Sequence, residues 1–142
     1  MALRLSGHPR SSSLPWVTFA FLFGLATTAH ATATISCGGI DAKADVDVLF
    51  GAGPVPSVLD VTFSVGSQMY STQGREGMSE AVIARAYVDD AIMNIDLMDD
   101  QVSVHLASIR VLRFESEASG PFQIGYIRLR DQAPIGIMCD GP

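Results

Sequence analysis

The stretch AVIARAYVDDAIMNIDLMDDQVSVHL, residues 81–106, decides the fold. Apolar and polar residues alternate at period two on both sides of Asp89-Asp90 and of Asp99-Asp100, the pattern of half-buried antiparallel strands interrupted by turns. Reading each Asp-Asp pair as a two-residue hairpin turn sets Val88 opposite Ala91, Ala86 opposite Met93, Ala84 opposite Ile95 and Val82 opposite Leu97. The second turn carries the register on, with Leu97 against Val102, Ile95 against Val104 and Met93 against Leu106. One face is then wholly apolar, and a slip of one residue would destroy it. Val82, Ala84, Ile95, Leu97, Val102 and Val104 are its expected core. The other face sets Arg85 beside Asn94 and His105, with Asp96 diagonal to Arg85. Glu80 to Tyr87 also holds good helix formers behind Ser79 as a cap, but the hairpin register favours strand.

The same alternation marks candidate strands on either side: Thr34 to Cys37, Val46 to Phe50, Val58 to Val65, Gln68 to Thr72, Phe122 to Arg130 and Ile135 to Cys139. Past Leu106 the apolar set changes parity, to Ile109 and Val111 and then to Leu112 and Phe114, which predicts a β-bulge or strong bend. Turn residues lie between the strands, including Gly51 to Pro56, Gln73 to Gly77 and Ser119-Gly120-Pro121. The expected fold is all-β, a small antiparallel barrel or sandwich of about eight strands.

Residues 1–31 read as a secretory signal peptide: Arg4 and Arg10 precede an apolar run from Leu14 to Ala26, and Ala29-His30-Ala31 is a small-x-small cleavage signal. Residues 32–142 are then a single β domain, periplasmic or secreted. The leader takes two of the nine basic residues and none of the fifteen acidic ones, so this domain is more acidic than the whole chain at -6. No run after the leader is long and apolar enough to span a bilayer, and the remaining basic residues are scattered, with Lys43 the only lysine. That pattern argues against nucleic acid and anionic lipid as partners and favours encounter with a basic protein. In an exported chain, Cys37 and Cys139 with no third cysteine predict a disulfide between the terminal strands; acylation of Cys37 is the alternative.

Chemistry-bearing motifs are sparse. His105 is the only histidine after the leader, and neither a G-x-S-x-G elbow, an S-x-x-K pair nor an H-E-x-x-H pair occurs. The sequence therefore assigns no catalytic, cofactor-binding or metal residues. Gly51-Ala52-Gly53-Pro54 lacks the lysine of a phosphate loop and reads as a rigid turn, and the aspartates from Asp89 to Asp100 do not fit a calcium-loop spacing. The candidate binding surface is Arg85, Asn94, Asp96 and His105, and a second candidate is the loop carrying Tyr70, Arg75 and Glu76.

In size, leader and single expected bridge between Cys37 and Cys139, the chain resembles bacterial periplasmic inhibitors of C-type lysozyme. The resemblance is architectural: that family's Ser-Gly-x-x-Tyr motif has its nearest counterpart in Gly66-Ser67-Gln68-Met69-Tyr70, where serine and glycine are misplaced. It implies a β domain that binds a basic protein. Two readings follow. The first is a non-enzymatic binding module, an inhibitor or accessory protein for a basic protein partner. The second is a small-molecule-binding barrel or small hydrolase using the Arg85, Asn94, Asp96, His105 face.

Overall fold

A computed structural model describes residues 32–51, 53, 55–116 and 120–141; the expected leader lies outside them. Nine strands follow in chain order: β1 (Ala33–Gly39), β2 (Ala44–Gly51), β3 (Ser57–Val65), β4 (Gln68–Ser71), β5 (Ser79–Val88), β6 (Ile92–Asp99), β7 (His105–Ser116), β8 (Gly120–Leu129) and β9 (Ile135–Asp140). They close into a barrel in that same order. A ring of nine cannot alternate direction all the way round, so one neighbouring pair must run parallel. That pair is β4 and β5, joined by only Tyr70↔Ser79 and Ser71↔Glu80. Every other contact is antiparallel, including the closing one between β1 and β9, where Cys37 faces Cys139 and the disulfide bridges the seam. Linking residues 102 apart removes chain entropy worth up to ~4.7 kcal/mol from the unfolded state.

Alternation fills the interior. In β2, Ala44, Val46, Val48 and Phe50 point inward while Asp45 and Asp47 point out. In β6, Met93, Ile95 and Leu97 are fully buried, and Ile109, Ile127 and Ile137 meet them from β7, β8 and β9. At Gly125 the sheet coils so tightly that an added Cβ would lie 1.9 Å from the Arg110 carbonyl oxygen, leaving room for hydrogen alone.

The expected strands form, including residues 80–87, except that the strand expected from Val102 to Phe114 begins only at His105, and the central hairpins do not take the expected register. Val88 pairs with Met93, Ala86 with Ile95 and, after a bulge at Ala84, Ile83 with Leu97. On the other side Leu97 pairs with Ala107 and Ile95 with Ile109. The cause is the aspartates. Asp89 Oδ1 accepts the amides of Ala91 and Ile92 at 2.8 and 2.7 Å, and Asp99 Oδ1 accepts those of Ser103 and Val104 at 2.6 and 2.9 Å. Each carboxylate thus organises a loop wider than two residues. Val102 falls in the second loop with φ 53°, and both Val102 and Val104 are exposed rather than core. Ala84 is exposed and Val82 half-buried, whereas Ile95 and Leu97 are buried as expected.

The parity change at Leu106 is a bulge: Leu106 and Ala107 are consecutive and both buried, opposite the step from Leu97 to Met98. Leu112 and Phe114 have a different explanation. Pairing of β7 with β8 is unbroken from Ala107 to Ser116, so these two side chains stay on the outer face.

Candidate functional site

With Ile95 and Leu97 pointing in, Asp96 must point out, and the register sets it between Arg85 of β5 and Ser108 of β7. Arg85 donates to Oδ2 from Nε at 3.0 Å and Nη2 at 2.6 Å. Oδ1 receives Arg110 Nη2 and the Ser108 hydroxyl, the latter at 3.1 Å. Arg110 is itself fixed by Nη1, which donates to the carbonyls of Ile95 and Ile109, each at 2.9 Å. Arg85 is 72% exposed and Asp96 only 14%, so the arginine lies over the carboxylate as a cover. Partial burial pushes the Asp96 carboxyl up, but hydrogen bonds from Arg110 and Arg85 outweigh it and hold the group below the usual aspartate range.

His105 joins the cluster from the start of β7, its Nε2 3.1 Å from Ser108 Oγ and 3.9 Å from Asp96 Oδ1. A serine, a histidine and an aspartate are thus together, but in an order unsuited to nucleophile activation. The carboxylate addresses Nε2, the nitrogen the serine also addresses, and the serine hydroxyl donates to Asp96. The arrangement holds charge in place on a rigid face; it does not set up a proton relay.

Of the four residues read from sequence, Arg85, Asp96 and His105 come together, with Arg85 facing Asp96 directly rather than diagonally. Asn94 stands one row away, between Tyr87 and Arg110. Ser108 and Arg110 were not anticipated. Their signal is the bulge: with the extra residue at Leu106, every second position of β7 from Ser108 onward lies on the face of Asp96.

The second candidate, the loop after β4, turns its residues inward on the protein. Tyr70 is buried and stacks on Phe63 with ring centroids 4.8 Å apart. Arg75 Nη2 and Thr72 Oγ1 each donate to buried Asp60 at 2.7 Å, and Thr72 Oγ1 also accepts the Val61 amide at 2.9 Å. Glu76 is exposed. These contacts fasten the crossover between the two parallel strands.

Beyond Arg110, the outer face of β7 to β9 is apolar. Leu112, Phe114, Phe122, Ile124, Tyr126 and Met138 are all exposed. They adjoin one another by register: Phe114 stacks on Phe122 at 5.1 Å, Leu112 faces Ile124, and Ile124 faces Met138. A cleft of about 410 Å³ opens at the end of this face, lined in part by Phe114, Phe122, Gln123 and Arg113. Among the described residues no group of three or more His, Cys, Asp or Glu is placed to hold a metal ion, and no helix is long and apolar enough to cross a membrane. No protein-family model, curated protein or solved structure matches the chain significantly.

Proposed function

We propose that this protein is an exported, non-enzymatic binding module that docks a basic protein partner on the outer face of β7 to β9, with the Arg85, Asn94, Asp96, His105 surface as its polar border. One observation carries the reading. The barrel interior is already filled, yet six large apolar side chains adjoin one another on the outside. Contiguous exposed apolar surface of this kind marks contact sites, because each Å² removed from water returns ~25 cal/mol. The mixture of Phe and Tyr with Arg110 at the edge is the composition favoured where binding energy concentrates. The acidic excess supplies long-range attraction for a basic partner, and the disulfide suits an oxidising compartment. The test is site-specific photo-cross-linking in the producing cell, with the cross-linker at Ile124, at Met138 or at Asp47 on the far side. A discrete adduct from the first two and none from Asp47 is expected; equal labelling from all three, or none from Ile124 and Met138, overturns the reading.

A further inference from the structure

At the opposite end of β8 from Phe122, a cleft of about 630 Å³ is lined by Val104, His105, Arg128, Arg130, Asp131 and Gln132. Its charge is unusual for this chain. Lys43 pairs with Asp41, Arg75 with Asp60, and Arg85 and Arg110 with Asp96. Arg113 bonds Gln123 and the Asp89 carbonyl. Among the described residues Arg128 and Arg130 alone of the basic side chains have neither an ion pair nor a hydrogen bond, although acidic residues outnumber basic ones by fifteen to nine. Asp131 lines the same cleft without pairing to either. Asp99 exerts a field on Arg130, but its oxygens are bound to the amides of Ser103 and Val104 and the Ser103 hydroxyl.

The backbone adds a second observation. Arg130 has φ 46°, a left-handed conformation that glycine or asparagine adopts at lower cost, and its amide is held by the Leu106 carbonyl at 2.8 Å. A long cationic side chain thus occupies a position whose geometry disfavours it, two residues from a second arginine that has neither an ion pair nor a hydrogen bond. His105 completes the wall, fixed through Ser108, which pairs with Arg128 across β7 and β8.

From this geometry we infer that the cleft is a binding site for a phosphate group, held by Arg128 and Arg130 with His105 and Gln132 at its edge. Two guanidiniums outweigh the single Asp131 carboxylate in the lining, and donors from β7, β8 and the turn after it come from more directions than one planar carboxylate can use. The site does not depend on the apolar face, and a phosphate probe needs no protein partner, so the two readings fail separately.

The test is an NMR titration of the isotopically labelled protein with sodium phosphate at constant ionic strength, with acetate and succinate as comparators. Saturable shifts confined to residues 104–108 and 128–132 are expected. They weaken by about tenfold or more in Arg128→Gln and in Arg128→Gln with Arg130→Asn, asparagine being chosen because it tolerates the left-handed turn, and persist in Lys43→Gln. Vesicles carrying phosphatidic acid separate the two sources of such a group. Arginine-dependent co-sedimentation assigns a lipid headgroup, and phosphate shifts without co-sedimentation assign a soluble ligand. Shifts that never saturate, that survive in the double variant, or that acetate and succinate reproduce overturn the proposal.

Discussion

The outer face of β1 to β3 and the outer face of β7 to β9 are built on one barrel by the same alternation, yet they differ in chemistry. The first presents Ser36, Asp45, Asp47 and Ser64, with Ser36 donating to Asp47 at 2.6 Å and Ser64 to Asp45. The second presents aromatic and aliphatic side chains that are exposed to solvent. Behind both lie equally buried residues: Val48 and Val61 under one, Ile109 and Ile127 under the other. The fold therefore demands an apolar interior and leaves the exterior open to either composition, so the apolar exterior of β7 to β9 calls for an explanation outside folding.

The hardest way to break this comparison is to attack what the faces share. Ile95→Asp places a carboxylate among fully buried neighbours, costs several kcal/mol and should abolish the cooperative thermal transition seen by circular dichroism. An unchanged melting temperature would mean that the interior is not the common support. Next is the seam between the faces: replacing Cys37 and Cys139 together by Ser should cost about 2–5 kcal/mol in denaturant titrations, and no loss would show that strand pairing alone closes the ring.

Acid sharpens the contrast between polar clusters that are organised and those that are merely solvated. Asp96, Asp89 and Asp99 all titrate below the ordinary aspartate range. For Asp89 the first cause is the Ile92 amide and then the Tyr87 hydroxyl; for Asp99 it is the Val104 amide and then Ser103. The unfolded chain, with aspartates near ~3.9, binds protons more readily than the native one. The stability these groups contribute is complete above that value and is lost as the pH falls through the lower native values. Melting temperatures between neutral pH and pH ~2 should decline accordingly, and Asp96→Asn should flatten the decline while costing about 1–3 kcal/mol at neutral pH. A pH-independent melting temperature would remove these carboxylates from the account.

The smallest effect on stability carries the most direct functional test. Ile124→Ser with Met138→Ser gives the apolar face the character of its counterpart and should change stability by no more than about 1 kcal/mol. Partner capture should nevertheless fall tenfold or more, ~1.4 kcal/mol, whereas Ser36→Ala with Asp47→Ala leaves it unchanged. Equal capture by both double variants would dissolve the distinction between the faces.

Much of the barrel was legible because its signal is local. Period-two alternation located every strand, and two distant cysteines marked the seam. Register was less legible, since it depended on whether Asp89 and Asp99 merely occupy turns or bind amides up to five residues ahead. That choice moved Val102 and Val104 out of the core and brought Ser108 and Arg110 to Asp96. Leu112 and Phe114 misled for another reason: an apolar residue on an exposed face reads as core until the opposing strand fixes which side it is on. The exposed apolar face was thus concealed by the very residues that form it.

Two of the junctions in the ring differ in strength, and this has a consequence for how the molecule breathes. One is locked covalently by Cys37 and Cys139, while β4 and β5 meet through two residue pairs and the fastening of Asp60 by Arg75 and Thr72. Transient opening will begin at the second, like a clasp bracelet parting opposite its soldered link, and amide exchange near Tyr70 and Glu80 will outpace that of β6 and β7. An opened junction exposes two unpaired strand edges while the seam still holds the chain ends together. Edge-to-edge joining of two such opened rings would then give a dimer without breaking either disulfide.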